Sequence, residues 1–138
     1  MKYNSIAQSS LVVLSLLLTV AGAHAQSAAR AKVPFAFKVG TTQMPAGTYN
    51  IQNVGANIVT VRNVQTGTSV LAMGRRESPS KKMDKLIFHH YGSQYFLTEI
   101  LGSEGSQAMV FPATKREKEL QVAHAPTNTG NNIEIASK

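Results

Sequence analysis

The stretch LIFHHYGSQYFLTEIL, residues 86–101, decides the fold. Two apolar runs, Leu86–Tyr91 and Tyr95–Leu101, flank Gly92-Ser93-Gln94, and a short glycine-led segment between two such runs signals a tight hairpin. A strand wetted on one face alternates apolar and polar residues, whereas these two are apolar on both faces. They are therefore expected in the middle of a sheet, with neighbours or a covering element on each side.

Toward the N-terminus the alternation becomes stricter. In Val33-Pro34-Phe35-Ala36-Phe37-Lys38-Val39, Val33, Phe35, Phe37 and Val39 share one face of an expected strand. Pro34 cannot donate to a ladder and suits an edge. Met44-Pro45-Ala46-Gly47 has the residues of a type I turn and predicts a hairpin. Thr48–Gln52 follows as a strand with Tyr49 and Ile51 inward and Asn50 and Gln52 in water. Turns at 53–57 and 63–67 frame Ile58–Arg62, and Ser69–Gly74 adds another strand, so residues 33–74 read as a meander of four antiparallel strands.

Toward the C-terminus, the glycine- and serine-rich loop 102–106 precedes a strand at Gln107–Phe111. Thr114-Lys115-Arg116-Glu117 matches a capping box, in which hydroxyl and carboxylate each satisfy an orphan backbone donor, and predicts a short helix to about Gln121. Ile133–Ile135 is expected as a last edge strand, in a tail, 123–138, that is otherwise partly disordered. The fold class is all-β with one short helix: an antiparallel β-sandwich or small partly open β-barrel of seven to eight strands. No internal repeat is present.

Residues 1–25 comprise a polar start with Lys2, the apolar stretch Leu11–Val20 and the small-residue segment Ala21–Ala25. Ala23 and Ala25 fit the −3 and −1 positions of a signal-peptidase site, so a cleaved secretory signal is expected, with the mature chain beginning at Gln26. The apolar run is about half the roughly 20 residues a spanning helix requires. Removing 25 of the 138 residues leaves 113, one domain of ordinary size: a flexible lead-in at 26–32, then a β-rich domain over 33–138. No later segment is apolar enough to cross a membrane as a helix, and the exported chain is placed in the periplasm or outside the cell. The strand runs of five to seven residues are also too short for a transmembrane barrel.

The chain has no cysteine, which excludes disulfides, thiolate catalysis and sulfur-based zinc sites. Without Lys2, 13 Lys and Arg face 7 Asp and Glu, a net charge of +6. For an exported protein that balance points to anionic envelope polymers or acidic protein partners, and nucleic acid becomes a minor option.

The segments VPFAF (33–37), MPAGTY (44–49), FHHYG (88–92), YFL (95–97) and KREKEL (115–120) together resemble a family of small exported bacterial proteins of unknown function. The family pattern runs V-P-F-x-F, L-P-A-G-x-Y, F-H-x-Y-G-x-x-Y-F-L and K-x-E-x-E-L. This chain has Met44 for the leucine and His90 where arginine is usual. The resemblance implies a small exported β-rich domain and carries no activity, cofactor or catalytic residue.

Few residues suggest chemistry. His89 and His90 are neighbours on a strand and point to opposite faces, so they cannot chelate one ion without a bulge, and His124 falls in a loop. Glu104, Glu117, Glu119 and Glu134 are expected in water. Glu99 stands alone within an apolar strand, where a rim position or a paired role is open to it. With no nucleophile elbow, no zinc-helix motif and no phosphate loop, no catalytic, metal or cofactor site is expected.

Two groups remain as contact residues. Arg75, Arg76, Lys81, Lys82 and Lys85 lie in the loop 75–85, which Glu77 and Asp84 dilute, and could meet an anionic surface. Phe35, Phe37, Tyr49, Phe88, Tyr95 and Phe96 either fill the core or line a ligand cavity. The function expected is a non-enzymatic envelope or extracellular interaction module. A carrier of a small apolar ligand is the alternative, and a hydrolytic enzyme ranks third.

Overall fold

The computed structural model describes residues 28–78, 84–102, 107–124 and 132–137. The expected signal, residues 1–25, lies outside them, as do Lys81, Lys82, loop 103–106 and the tail segment 125–131. Among the described residues there are eleven strands and one helix: β1 Ala28–Val33, β2 Phe37–Val39, β3 Thr42–Met44, β4 Gly47–Gly55, β5 Ile58–Asn63, β6 Ser69–Met73, β7 Arg75–Glu77, β8 Lys85–Tyr91, β9 Gln94–Leu101, β10 Ala108–Val110, α1 Lys115–Ala123 and β11 Asn132–Ala136.

The strands form two curled sheets. One has the order β1-β4-β5-β6, and the other β11-β8-β9-β10-β7 with the β2–β3 hairpin attached to β9. The protein is all-β with one short helix, an arrangement between a sandwich and a partly open barrel, because both pairs of sheet edges are joined. At one side Ala31 of β1 bridges Ser137, the residue after β11. At the other, β6 runs into β7 through Gly74, whose N–H donates to Asn57 O at 3.0 Å. A Cβ on Gly74 would lie 2.7 Å from Val110 O and 2.8 Å from Met109 Sδ, so the corner needs glycine to admit β10.

The central hairpin is as expected. β8 and β9 pair antiparallel and are joined through Gly92, which has φ 61°. The register shifts between Ile87 and Phe88, leaving Thr98 as the extra residue of a β-bulge. Leu86, Phe88, Leu97 and Ile100 face the main core, while Tyr91 and Phe96 pack with Leu120 of α1 on the other face. Both faces of the hairpin are thus covered. Among the described residues no helix is long and apolar enough to cross a membrane.

Four expectations are corrected. Residues 28–32, read as a flexible lead-in, belong to β1: Ala29 and Ala31 pack inward, Arg30 and Lys32 point out, and the strand pairs with β4 along its whole length. The single strand 33–39 is split at Pro34, because the chain turns there from one sheet into the other; its alternating burial persists across the break. Met44–Gly47 does not close a hairpin. The hairpin is β2–β3, turning at Gly40 (φ 60°), and 44–47 carries the chain back to the first sheet. The meander is therefore β4-β5-β6, with β1 added on the far side of β4. Pairing is antiparallel except where β2 meets β9 in parallel, at Lys38 and Phe96.

Tyr49 shows why the 44–49 segment has its composition. Its hydroxyl donates to Pro45 O, Met44 is fully buried, and a Cβ on Gly47 would come within 2.7 Å of Asn63 Nδ2. Asn63 is itself buried and holds the next turn, its Oδ1 accepting from Gln65 N and Thr66 N at 2.9 and 3.0 Å.

Candidate functional site

The expected loop 75–85 is corrected at both ends, because Arg75 and Arg76 stand on β7 and Lys85 opens β8, and all three cations are engaged. Arg75 Nε donates to Glu77 Oε1 at 2.8 Å, and Lys85 Nζ lies 2.6 Å from Glu134 Oε2. Arg76 reaches across to the β4–β5 turn, where Nε donates to Ala56 O and Nη2 approaches Gly55 O at 3.4 Å. Arg75 and Arg76 are neighbours on β7, so their side chains leave opposite faces of the strand. Arg75, Arg76 and Lys85 thus tie turns and strands together, while Lys81 and Lys82 lie outside the described residues.

The aromatic group divides in two. Phe37, Tyr49 and Phe88 are fully buried and meet edge to face, with centroids 5.0 and 5.2 Å apart, as filling of the core. Burial raises the Tyr49 hydroxyl above its ordinary value of 10.0, with the Asn63 hydrogen bond opposing. At the rim, Phe35, Tyr95 and His90 form a stack, with Tyr95 lying 4.1 Å from Phe35 and 4.4 Å from His90. Phe96 faces the other side, under Lys38 and beside Tyr91.

His89 and His90 point to opposite faces, as their neighbouring positions require. His89 lies on the helix side, where its Nδ1 is 3.0 Å from Glu117 Oε1 and 3.4 Å from the Tyr91 hydroxyl. Glu117 was expected in water, yet it is 3% exposed. Only half of the capping box forms: Thr114 Oγ1 accepts from Glu117 N at 3.1 Å, while the carboxylate turns to the sheet. A carboxylate only accepts, so the hydrogen of this contact is assigned to His89 Nδ1, which donates to Glu117 Oε1. His124, expected in a loop, instead caps the helix end, with Nδ1 2.9 Å from Leu120 O and its ring 6.4 Å from that of Tyr91.

Beside this pair lies an open cleft of about 280 Å³, lined by Ile87, Glu99, Val110 and Phe111 with His89 and Glu117. Glu99 lines it, half-buried, with no partner among the described residues. The hydroxyls nearby are committed: Thr98 Oγ1 donates to Ile87 O at 3.1 Å, and Thr114 caps the helix. Among the described residues no group of three His, Asp or Glu is placed to hold a metal ion. The Tyr91 hydroxyl is raised above 10.0 by burial first and by the Glu117 charge second. Chemically the cluster is a docking contact that fastens α1 to β8. The segments 88–92 and 115–120, far apart in sequence, are its two halves.

The sequence reading missed a further surface, the outer face of β1-β4-β5-β6. Cross-strand register sets Arg30, Asn50, Arg62 and Ser69 in one row and Gln52, Thr60 and Leu71 in the next, with Lys32 opposite Thr48. Arg30, Lys32 and Arg62 are exposed and have no ion pair or hydrogen bond among the described residues. No Asp or Glu occupies an outward position of these four strands. Asn50 and Gln52 were recognised as solvated, but assigning Arg30 and Lys32 to a lead-in hid the rest of the row. Comparison with known proteins finds no matching family model, no similar curated protein and no similar solved structure.

Proposed function

We propose that the chain is an exported, non-enzymatic interaction module acting in the periplasm or outside the cell through the open face of β1-β4-β5-β6. One observation carries this reading: Arg30, Lys32 and Arg62 stand on an uncovered sheet face without an acidic partner among the described residues, whereas Arg75 and Lys85 are paired. An unpaired cationic face attracts anionic matter over roughly 10 Å at moderate ionic strength. The buried packing of Phe37, Tyr49 and Phe88 against one another supports a filled core over a carrier cavity.

The test is co-sedimentation of the purified chain with envelope material from its producing cell at low and high salt. The reading expects sedimentation at low salt that is lost at high salt. A discrete non-covalent adduct in the native mass spectrum would instead favour the carrier. Hydrolysis of a model ester or glycoside that Glu99→Gln abolishes would favour an enzyme.

A further inference from the structure

We propose that the open face of β1-β4-β5-β6 binds a linear acidic polysaccharide, with Arg30, Arg62 and Lys32 holding its carboxylates and the side chains between them holding its hydroxyls. The inference rests on the interaction-module reading and adds the class of partner and the residues that select it.

The spacing of the cations is the first argument. Arg30 and Arg62 lie in one row on β1 and β5 with Asn50 of β4 between them. Two strand spacings put their Cα atoms about 10 Å apart, and Lys32 lies about 7 Å from Arg30 along β1. A compact anion such as phosphate is held by cations that converge. These three are spread out and divided by hydrogen-bonding groups, which suits a chain carrying one charge per repeat. Guanidinium also matches a carboxylate with two parallel hydrogen bonds.

The groups between the charges are the second argument. Asn50, Gln52, Thr48 and Thr60 are half-buried on this face and offer both donors and acceptors, as sugar hydroxyls do. No aromatic side chain occupies the outward positions, so the bases of a single-stranded nucleic acid would find no stacking platform. A bilayer surface calls for apolar side chains beside the cations. Here exposed Leu71 and Met73 belong to β6, where Leu71 neighbours Arg62 of β5, whereas Arg30 and Lys32, three strands away on β1, have no large exposed apolar side chain beside them among the described residues.

Affinity for immobilised polygalacturonate, a polyuronate, tests the proposal on the purified chain. The double variant Arg30→Gln/Arg62→Gln is expected to bind about tenfold more weakly, and Lys32→Gln about threefold more weakly. Lys115→Gln/Lys118→Gln removes the same charge from exposed positions on α1 and is expected to change affinity less than about twofold. Fully methyl-esterified polygalacturonate should not bind, and unchanged melting curves would show that the variants fold.

Equal losses in the two double variants would overturn the proposal, as would equal binding of the ester, or tighter binding to phosphatidylglycerol vesicles or single-stranded DNA. If the polyuronate does not bind but Arg30→Gln/Arg62→Gln still abolishes envelope co-sedimentation, the glycan inference fails and the module reading stands. If neither depends on these arginines, both fail.

Discussion

The outer faces of the two sheets differ. On the β8–β9 hairpin the outward side chains include Tyr91 and Phe96, and α1 lies over them with Leu120 buried and Glu117 fixed to His89. On β1-β4-β5-β6 the outward side chains of β1, β4 and β5 are mostly amides, hydroxyls and cations, and Leu71 and Met73 of β6 stand 66% and 69% exposed. Both sheets have apolar inner faces, so the core does not distinguish them. The outer face decides whether a sheet acquires a cover or remains open to a partner.

The sharpest way to break this contrast is to make one truncation on each face. Leu120→Ala should cost about 2–4 kcal/mol because it opens a cavity under the helix. Leu71→Ala should stay within about 0.5 kcal/mol in the same urea titration, as exposed positions do. Equal costs would mean that the supposedly open face is covered as well. Gly74→Ala comes next: its Cβ has nowhere to go but against the backbone of β10, and a loss of about 1–3 kcal/mol in the same titration is expected from overpacking. A silent substitution there would show that the two sheets are not held together at that corner.

A smaller effect sharpens the account of the covered face. Glu117→Gln keeps the size of the side chain and should cost about 1 kcal/mol, as the loss of one charged hydrogen bond to His89. It should also lower the Tyr91 titration toward 10.0, because one of its two raising causes is removed. A tyrosinate absorbance titration reads this directly, and no movement would contradict the contact. The two raised tyrosines also set the sign of the alkaline limit. Their folded-state values lie above the unfolded value of 10.0, so their contribution to stability is complete below about pH 10 and is lost as pH rises through the folded values. Stability should fall above pH 10, less steeply in Tyr91→Phe. The smallest effect belongs to Arg75→Gln: its pairing with Glu77 is solvent-exposed, and melting should shift by no more than about 1 kcal/mol allows.

Local pattern was the legible part of the sequence. The β8–β9 hairpin announced its central place because its residues are apolar on both faces, and Thr114 with Glu117 marked the helix start. Corners were harder. Pro34 redirects the chain between sheets while the alternation of side chains continues through it, so a period-two reading sees one strand where there are two; past Gly74 the charged residues of β7 read as the start of a polar loop. β1 was hidden because its inward residues are alanines, small enough to read as a linker. The His89–Glu117 contact joins residues 28 positions apart, and the capping-box pattern offered Glu117 a local partner that the folded chain does not use. The cationic row was invisible for a related reason: Arg30 and Arg62 become neighbours across Asn50 only through strand register.

The most direct test of the open face as the working surface is a two-dimensional amide NMR titration of the chain with polygalacturonate. Shifts concentrated on β1, β4 and β5, around Arg30, Asn50 and Arg62, are the predicted result. Shifts confined to residues 75–85 or to α1, or a spectrum that does not change, would contradict it.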